Sequence, residues 1–237
     1  MRPLGLPHVH HRLTGSTNER AKELASGGAP HGTIVTADEQ TSGRGRQGRT
    51  WIAEARSALL LSVVVRDLDE RHALLPLVTA VAVCEAAEAC APVKCAIKWP
   101  NDVWVERKKL AGILVEGRPQ EGWAVIGVGL NIGARKFAGE LEGIATSLAL
   151  ESPVRGPRSP GAVLETLLSA LDRRLFDPPA PVLQAWRERD ALAGSHISWH
   201  DGEGTGAGVD DTGALLVDTR KGRVALQAGE VHLTRGA

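Results

Sequence analysis

Residues 97–116 read IKWPNDVWVERKKLAGILVE, and this stretch carries the strongest indication of the fold. Its apolar runs at 97–99, 103–105 and 113–115 are each short and bounded by turn residues, as is typical of strands. The last two runs are joined by a polar turn, which predicts a hairpin. Such a hairpin would bring Lys109 close to the turn at residues 100–102, so that a cation, an amide and a carboxylate would lie together.

The apolar patterning on both sides of this hairpin predicts a chain that mixes helices and strands. Three segments have the features of helices, one N-capped at its start, one Ala- and Val-rich and one with Leu on a single face before Pro178: 19–24, 73–90 and 162–176. Three further segments are apolar and read as strands: 33–37, 59–65 and 123–132. The fold class is therefore α+β.

The pattern changes after about Arg189. Alternating apolar pairs separated by Gly-, Asp- and Thr-rich turns predict a small antiparallel β unit, with strands at 197–199, 215–217, 224–226 and 231–233. The glycine-rich piece Gly202–Gly208 reads as a loop between two of these strands. We therefore expect a main domain over 1–189 and a second, small domain over 190–237.

Composition excludes several classes of protein. The 237 residues carry 28 Lys and Arg against 28 Asp and Glu, and a net charge of zero argues against a protein that coats nucleic acid or a membrane surface. The three cysteines form no CxxC pair and fit no closed disulfide framework, which favours a reducing cytoplasm. No secretory signal is visible, and the longest apolar run, at 73–84, is shorter than a bilayer crossing requires.

Residues 43–51 read GRGRQGRTW and formally satisfy the GxGxxG pattern of dinucleotide-binding proteins. That pattern must open directly into a helix, and no helical pattern begins before about residue 70, so this interpretation fails. Alternating Gly and Arg instead favours a mobile loop whose guanidinium groups close on anionic oxygens. A solvated basic loop and a nucleic-acid-binding loop are weaker alternatives.

The remaining motifs are modest when taken singly. Ser16 to Asn18 would ordinarily only cap a helix, although free N–H groups at a helix start also bind polar ligands. Gly112 and the glycines of GVGLN at 127–131 interrupt apolar strands, which indicates either bulges or a close approach of the backbone to a ligand. What distinguishes this sequence is the whole set in this order.

In that order, the motifs resemble the biotin protein ligases, also called biotin–[acetyl-CoA-carboxylase] ligases. The resemblance runs from Ser-Thr-Asn at 16–18 through Gln40, GRGRQGRTW, KWPND at 98–102 and KLAGILVE at 109–116 to GVGLN, and weakly on to the tail. It implies a mixed sheet backed by helices, related to the class II aminoacyl-tRNA synthetase core, with a C-terminal SH3-like β-barrel. Some members add an N-terminal DNA-binding domain. Fifteen residues precede Ser16 in this sequence, and we expect a ligase of the form that lacks that domain and is not a DNA-binding repressor.

The same resemblance implies a two-step reaction. The biotin carboxylate attacks the α-phosphorus of MgATP to give biotinyl-5′-AMP, and a lysine of a biotin carboxyl carrier domain then displaces AMP. The implied substrates and cofactors are biotin, ATP and Mg²⁺. A lipoate-type ligase of the same superfamily remains the alternative.

The implied site residues follow from matching positions. Lys109, Arg46 and Asp102 would be catalytic, with Asp102 acting either as a base for the incoming amine or beside Mg²⁺, for which no direct ligand motif exists. The biotin-binding set implied by the resemblance is Ser16, Thr17, Asn18, Gln40, Gly43, Arg44, Gly45, Arg46, Lys109, Gly112 and Gly127. The set implied for ATP and the adenylate is Arg46, Arg49, Trp51, Asn131 and Lys98. We expect a cytoplasmic enzyme that binds neither nucleic acid nor membranes, and the sequence leaves a monomer and a homodimer both open.

Overall fold

The computed structural model describes residues 3–68, 70–157 and 159–234. Its main sheet contains β1 (His8–His11), β2 (Ile34–Ala37), β3 (Ala58–Arg66), β4 (Ala96–Lys98), β5 (Asp102–Val105), β6 (Lys108–Arg118) and β7 (Trp123–Asn131). The strands lie in the order β1-β2-β3-β7-β6-β5-β4, and β1 runs parallel to β2 while the other neighbours are antiparallel. The prediction of a mixed sheet is therefore confirmed, and β1 is a strand that its His-rich sequence did not reveal.

The helices are α1 (Thr17–Ser26), α2 (Leu75–Cys90), α3 (Leu148–Glu151), α4 (Gly161–Phe176) and α5 (Pro179–Arg187). Helix α2 packs on one face of the sheet and is covered by α4 and α5, whereas α1 packs on the other face against β3 and β7. The sheet is thus backed by helices, as predicted.

Two of the helix predictions need correction. Helix α1 begins at Thr17, so Thr17 and Asn18 belong to its first turn, and Ser16 occupies the N-cap position without a side-chain capping bond. The two prolines at 178–179 do follow the end of α4, but Pro179 also starts α5, which the sequence interpretation missed. Proline suits the first turn of a helix because the N–H that it lacks would have no partner there.

The two faces of the sheet differ because side chains alternate along its strands. Along β7, the residues Ala124, Ile126, Val128 and Leu130 pack into the main core beneath α2. Gly127 and Gly129 therefore occupy positions on the opposite face, because successive positions of a strand face opposite sides of the sheet. The centre of the sheet face that packs against α1 therefore carries glycines in place of larger side chains, and this leaves room for a cleft.

Helix α2 lies within the helix predicted over 73–90, which confirms that prediction. Together with the turn before it, the described helical stretch His72–Cys90 is long and apolar enough, by length and composition alone, to span a membrane. Within its apolar window, 67% of the residues are buried inside the protein. Burial of this kind is typical of the central helix of a globular core.

A second sheet is formed by β8 (His196–Trp199), β9 (Gly202–Val209), β10 (Leu215–Thr219), β11 (Gly222–Leu226) and β12 (His232–Leu233), in the order β11-β10-β9-β8-β12. All of its pairs are antiparallel, which confirms the predicted β unit. The prediction of a loop at Gly202–Gly208 is wrong, since these residues lie in β9. A Cβ on Gly204 would come within 2.5 Å of the Asp218 carbonyl oxygen, so close strand packing explains the glycine.

The two sheets are joined by direct contacts. The indole Nε1 of Trp99, which is 2% exposed, donates a hydrogen bond of 3.0 Å to the carbonyl oxygen of Gly213. The boundary between residues 189 and 190 stays a prediction, and the two ends of the predicted domains, 1–2 and 235–237, lie outside the described residues.

Candidate active site

A cleft of about 1090 Å³ opens on the α1 face of the main sheet. The Gly-Arg segment 43–51, called the Arg loop below, borders it on one side, and the β5–β6 hairpin borders it on another. The cleft gathers every predicted site residue except Gly43: Ser16, Thr17, Asn18, Gln40, Arg44, Gly45, Arg46, Arg49, Trp51, Lys98, Asp102, Lys109, Gly112, Gly127 and Asn131. Residues from distant parts of the sequence therefore share one site.

The floor of the cleft is a buried polar network at the start of α1. The Oε1 atom of Gln40 accepts the backbone N–H of Thr17 at 2.7 Å and lies 3.1 Å from its hydroxyl. Ser62 Oγ lies 2.8 Å from Thr17 Oγ1 and 2.6 Å from Asn18 Oδ1. The sequence interpretation missed Ser62, although a single serine inside the apolar run LLLSVVV was a usable signal.

The glycines of the floor are required by two larger side chains. A Cβ on Gly127 would lie 2.1 Å from Asn18 Oδ1, so the Asn18 amide occupies the space that a side chain would fill. Cβ atoms on Gly129 and Gly112 would lie 2.4 Å and 2.9 Å from the indole ring of Trp51. Trp51 therefore lies across these two strands, and the glycine interruptions reflect close approach rather than bulges.

The Arg loop is a tight hairpin in which the arginines have partners. The backbone N–H of Gly45 donates to the Arg49 carbonyl oxygen at 2.7 Å, and Gln47 takes a left-handed conformation with φ of 55°. Arg44 pairs with the carboxylates of Glu19 and Glu116. These carboxylates lie on α1 and β6, so Arg44 ties the loop to both elements.

The other two arginines of the loop differ in their surroundings. Arg49 pairs with Glu230 of the second sheet region at 2.8 Å, so the loop is tied to the tail of the chain. Burial and the charge of Arg49 lower the pKa of Arg46 from its usual value, although Asp102 and Glu230 oppose this shift. Arg46 is therefore a partly desolvated cation that faces the cleft. An anionic ligand bound there would compensate for the hydration that its guanidinium group has lost.

The mouth of the cleft carries the ion pair that the hairpin predicted. Lys109 Nζ lies 2.7 Å from Asp102 Oδ1, because β5 and β6 pair with Asp102 opposite Gly112. Lys109 Nζ also lies 5.7 Å from the centroid of the Trp51 ring, within the range of a cation–π contact. The prediction that Lys109 approaches the turn at 100–102 is confirmed.

Lys98 and Asn131 complete the predicted set. Lys98 Nζ lies 5.5 Å from the centroid of the Trp104 ring, and burial lowers the pKa of Lys98 from its usual value. Asn131 is 5% exposed, and its Nδ2 donates to the Thr146 carbonyl oxygen at 3.0 Å. That bond fixes the plane of the amide.

The chemistry of the cleft is that of an anion-binding site with a polar floor. Arg46, Lys98 and Lys109 converge on it, and Asp102 is the carboxylate paired to one of them. Within the described ranges, no group of three or more His, Cys, Asp or Glu side chains is arranged to hold a metal ion. Positioned cations of this kind stabilise negative charge that develops during acyl or phosphoryl transfer.

Comparison with known proteins agrees with this geometry. A family model described as the biotin/lipoate A/B protein ligase family matches residues 11–132, just over half of the chain. The chain belongs to this ligase family. The matched range includes the floor of the cleft, the Arg loop, the β5–β6 hairpin and β7, and it ends where the predicted motifs end.

Individual relatives of this ligase match over nearly its whole length. It is 36% identical over 236 residues to a biotin–[acetyl-CoA-carboxylase] ligase of Mycobacterium tuberculosis, which covers 93% of this chain and 86% of the relative. It is 34% identical over 237 residues to the ligase of the same name from Paracoccus denitrificans. That match covers 92% of this chain and 97% of the relative.

Among solved structures, the biotin protein ligase from Aquifex aeolicus in complex with biotin and ATP superposes with a TM-score of 0.84 at 27% identity. The match covers 98% of this chain and 100% of that one. The predicted fold, a synthetase-like core followed by a small barrel-like β domain, is thereby confirmed.

Proposed function

We propose that this ligase activates biotin with ATP to form biotinyl-5′-AMP and transfers the biotinyl group to a specific lysine of a biotin carboxyl carrier domain. The observation that carries the proposal is the Lys109–Asp102 pair at the mouth of a cleft whose floor is polar and whose walls carry cations. The floor suits a neutral polar ring, and the cations suit a carboxylate and phosphates. Family membership and the named relatives support the same activity.

The proposed binding roles divide the cleft in two. The floor residues Ser16, Thr17 and Gln40 hydrogen-bond the ureido ring of biotin, and the glycine-lined strands border its fused rings and valeryl chain. Trp51 stacks on adenine and Asn131 hydrogen-bonds it, because both border the cleft beyond the floor. Arg46 and Arg49 of the loop face carboxylate and phosphate oxygens.

In the first step, a biotin carboxylate oxygen bonds to the α-phosphorus of ATP and the bond to pyrophosphate breaks. Lys109 contacts both the carboxylate and the α-phosphate and stabilises the negative charge that accumulates between them. Asp102 is a carboxylate of the cleft and would assist a Mg²⁺ ion bound to the ATP phosphates, which would neutralise part of their charge. The protein's main contribution is to align two anionic reactants that otherwise repel each other.

In the second step, the carrier lysine amine attacks the carbonyl carbon of the mixed anhydride and AMP leaves with the bonding electrons. The amine must first lose a proton, because a lysine pKa of about 10.4 leaves only a small neutral fraction at neutral pH. We propose that Asp102 at the mouth accepts that proton or orients the amine.

Adenylate formation tests the proposal directly. The protein is incubated with [α-³²P]ATP, Mg²⁺ and either biotin or lipoate, and the acyl-adenylate is resolved from ATP and AMP. Biotin-dependent product is the expected result. Product with lipoate alone would establish the alternative, a lipoate-type ligase, which the family model also includes.

The proposed setting follows from the activity. The protein partner is a folded carrier domain of a biotin-dependent carboxylase, and the proposed location is the cytoplasm. A homodimer that binds neither nucleic acid nor membranes is part of the same proposal. Light scattering with and without biotin and ATP, together with a salt-titrated DNA-binding assay, tests these points.

A further inference from the structure

Asn101 lines the cleft beside Asp102, although the predicted site did not include it. Its side-chain Nδ2 donates a hydrogen bond of 2.9 Å to the carbonyl oxygen of Ile113. Its backbone carbonyl oxygen accepts the N–H of Ile113, also at 2.9 Å. Ile113 is 2% exposed, so Asn101 satisfies both backbone polar groups of a buried strand residue. Removing the amide would take a partner away from a buried carbonyl oxygen.

These two bonds continue the β5–β6 ladder by one pair beyond Asp102, the first residue of β5. The register pairs Asp102 with Gly112, so Asn101 lies opposite Ile113. In a regular antiparallel ladder, a hydrogen-bonded pair exchanges two bonds through backbone atoms. Here the side-chain amide of Asn101 makes the bond that a backbone N–H makes in a regular ladder. Because a carbonyl oxygen can only accept, Nδ2 must face Ile113 and the orientation of the amide is fixed.

Asp102 is held in the ladder from both directions along the chain. Before it stands the pair that Asn101 makes with β6, and after it Val103 pairs with Ala111. Pro100, which precedes Asn101, has no N–H with which to extend the ladder further. The Asn101 amide therefore braces the start of β5 at the residue next to the Asp102 carboxylate.

Lys109, the other member of the ion pair, is held by different contacts. Its backbone N–H donates to the Ile144 carbonyl oxygen at 2.7 Å, and its carbonyl oxygen accepts the Thr146 N–H at 2.9 Å. A register shift in the β5–β6 ladder also separates Lys109 from Asp102. Loss of the Asn101 amide should therefore displace Asp102 more than it displaces Lys109.

We propose that Asn101 is a positioning residue that holds the Asp102 carboxylate in place for the attack of the carrier lysine amine. The inference rests on the proposed function, in which Asp102 serves the transfer step and Lys109 serves adenylate formation. The Asn101 amide contacts the backbone of β6 and acts on the reaction through Asp102. Because transfer depends on the alignment of the amine with the carboxylate, a small displacement slows transfer without weakening the binding of the carrier.

Single-turnover transfer from a preformed biotinyl-AMP complex to an acceptor domain tests the proposal in the full chain. Asn101→Ala should lower the limiting transfer rate about tenfold, the size of one hydrogen bond. The acceptor concentration at half-maximal rate and the rate of adenylate formation should each change by less than about twofold. Equal losses in adenylate formation and transfer, or an unchanged transfer rate, would overturn the proposal.

Thr219→Ala is the matched control, because it also removes a side-chain bond to a backbone carbonyl oxygen at a hairpin. Thr219 Oγ1 donates to the Gly222 carbonyl oxygen at 2.7 Å in the β10–β11 hairpin, and Thr219 does not line the cleft. Both steps should keep their wild-type rates in this variant. Circular dichroism of each variant verifies folding.

A second variant keeps the test decisive if Asn101→Ala fails to fold. Asn101→Leu approximately preserves the volume of the side chain but has no group that can donate to the Ile113 carbonyl oxygen. It should lower the limiting transfer rate about tenfold as well, again with adenylate formation nearly unchanged. A folded Asn101→Leu variant that transfers at the wild-type rate would overturn the proposal.

A double-mutant cycle shows whether Asn101 acts through Asp102. Asn101→Ala added to Asp102→Asn should change the transfer rate by less than about twofold. A further loss of about tenfold in that background would overturn the proposal, because Asn101 would then act independently of Asp102. Failure of the wild-type chain to form biotinyl-AMP would instead overturn the proposed function. Normal transfer in Asp102→Asn alone would overturn the role proposed for Asp102 together with this inference.

Discussion

Lys109 and Asp102 form an ion pair of 2.7 Å across the β5–β6 hairpin, at the mouth of the cleft. Lys109 is proposed to contact the α-phosphate in the first step, and Asp102 is proposed to contact the incoming amine in the second. The ion pair therefore connects the main group of each step. Because Lys109 also lies over the Trp51 ring, its position is held from two sides. Binding of an anionic substrate would compete with Asp102 for Lys109 and so free the carboxylate for the second step.

Lys109→Ala should leave a folded protein with adenylate formation reduced about 10²–10³-fold, because one preorganised charge-stabilising donor is lost. Single-turnover formation of radiolabelled adenylate measures the effect. Lys108→Ala, one residue earlier on the same strand and exposed, is the matched control and should retain the wild-type rate. A near wild-type rate in Lys109→Ala would remove Lys109 from the catalytic residues.

Asp102→Asn should slow transfer to the carrier more than it slows adenylate formation, because an amide cannot accept the amine proton. Preformed biotinyl-AMP complex is mixed with an acceptor domain, and each step is followed separately. If the variant loses adenylation and keeps normal transfer, Asp102 acts on the Mg²⁺–phosphate side instead.

Gly129→Ala should impair ATP binding while the fold persists. The new methyl group would lie 2.4 Å from the Trp51 ring, so Trp51 must leave the position proposed to meet adenine. Titration with ATP measures the loss, and a change in tryptophan fluorescence reports the displaced ring. Gly161→Ala in α4, where a Cβ meets nothing within 4 Å, is the control expected to bind ATP normally.

Glu230→Gln should make the Arg loop more sensitive to trypsin, because Arg49 loses its 2.8 Å ion pair with the tail. Limited proteolysis followed by mass spectrometry identifies cleavage after the arginines of the loop. Glu203→Gln, an exposed substitution on β9, should leave the cleavage rate unchanged. Biotin and ATP together should protect the loop in both proteins, and equal cleavage without ligand would contradict the role of Glu230.

Glu85 should contribute to stability near neutral pH and lose that contribution in acid. Burial alone would raise the pKa of Glu85, but Arg174 and Arg173 lower it below its usual value. Since the folded pKa is depressed, the contribution is present above the unfolded pKa and disappears as pH falls through the folded value. Chemical unfolding should show Glu85→Gln destabilised at about pH 7, with the destabilisation shrinking as pH falls below the unfolded pKa of about 4.3, whereas exposed Glu165→Gln should show no such trend.

Much of the fold follows from local patterns. The hairpin, the long apolar helix and the alternating strand β7 were predicted because burial imposes a period on the sequence that survives without tertiary context. Strand β1 was missed because its histidines carry no such period. Helix α5 was missed because the prolines at its start were read only as the stop of the preceding helix, although Val182, Leu183 and Trp186 lie at helical spacing and are buried. Strand β9 was taken for a loop because its glycines serve close packing against Asp218 and Leu192, which only the folded chain reveals.

The sequence by itself determined the motifs and the mixed α+β architecture, because both are encoded in residue type and short-range spacing. The resemblance that those motifs carry implied the predicted site residues, and all of these except Gly43 line the cleft. The tertiary structure alone decided which partners these residues have. Ser62, Glu116 and Glu230 stand 44 or more positions from Asn18, Arg44 and Arg49 respectively, and no short-range pattern links them. Hydrogen-bond direction and ion pairing depend on distances between such remote residues, which the chain acquires only when the sheet and its helices pack.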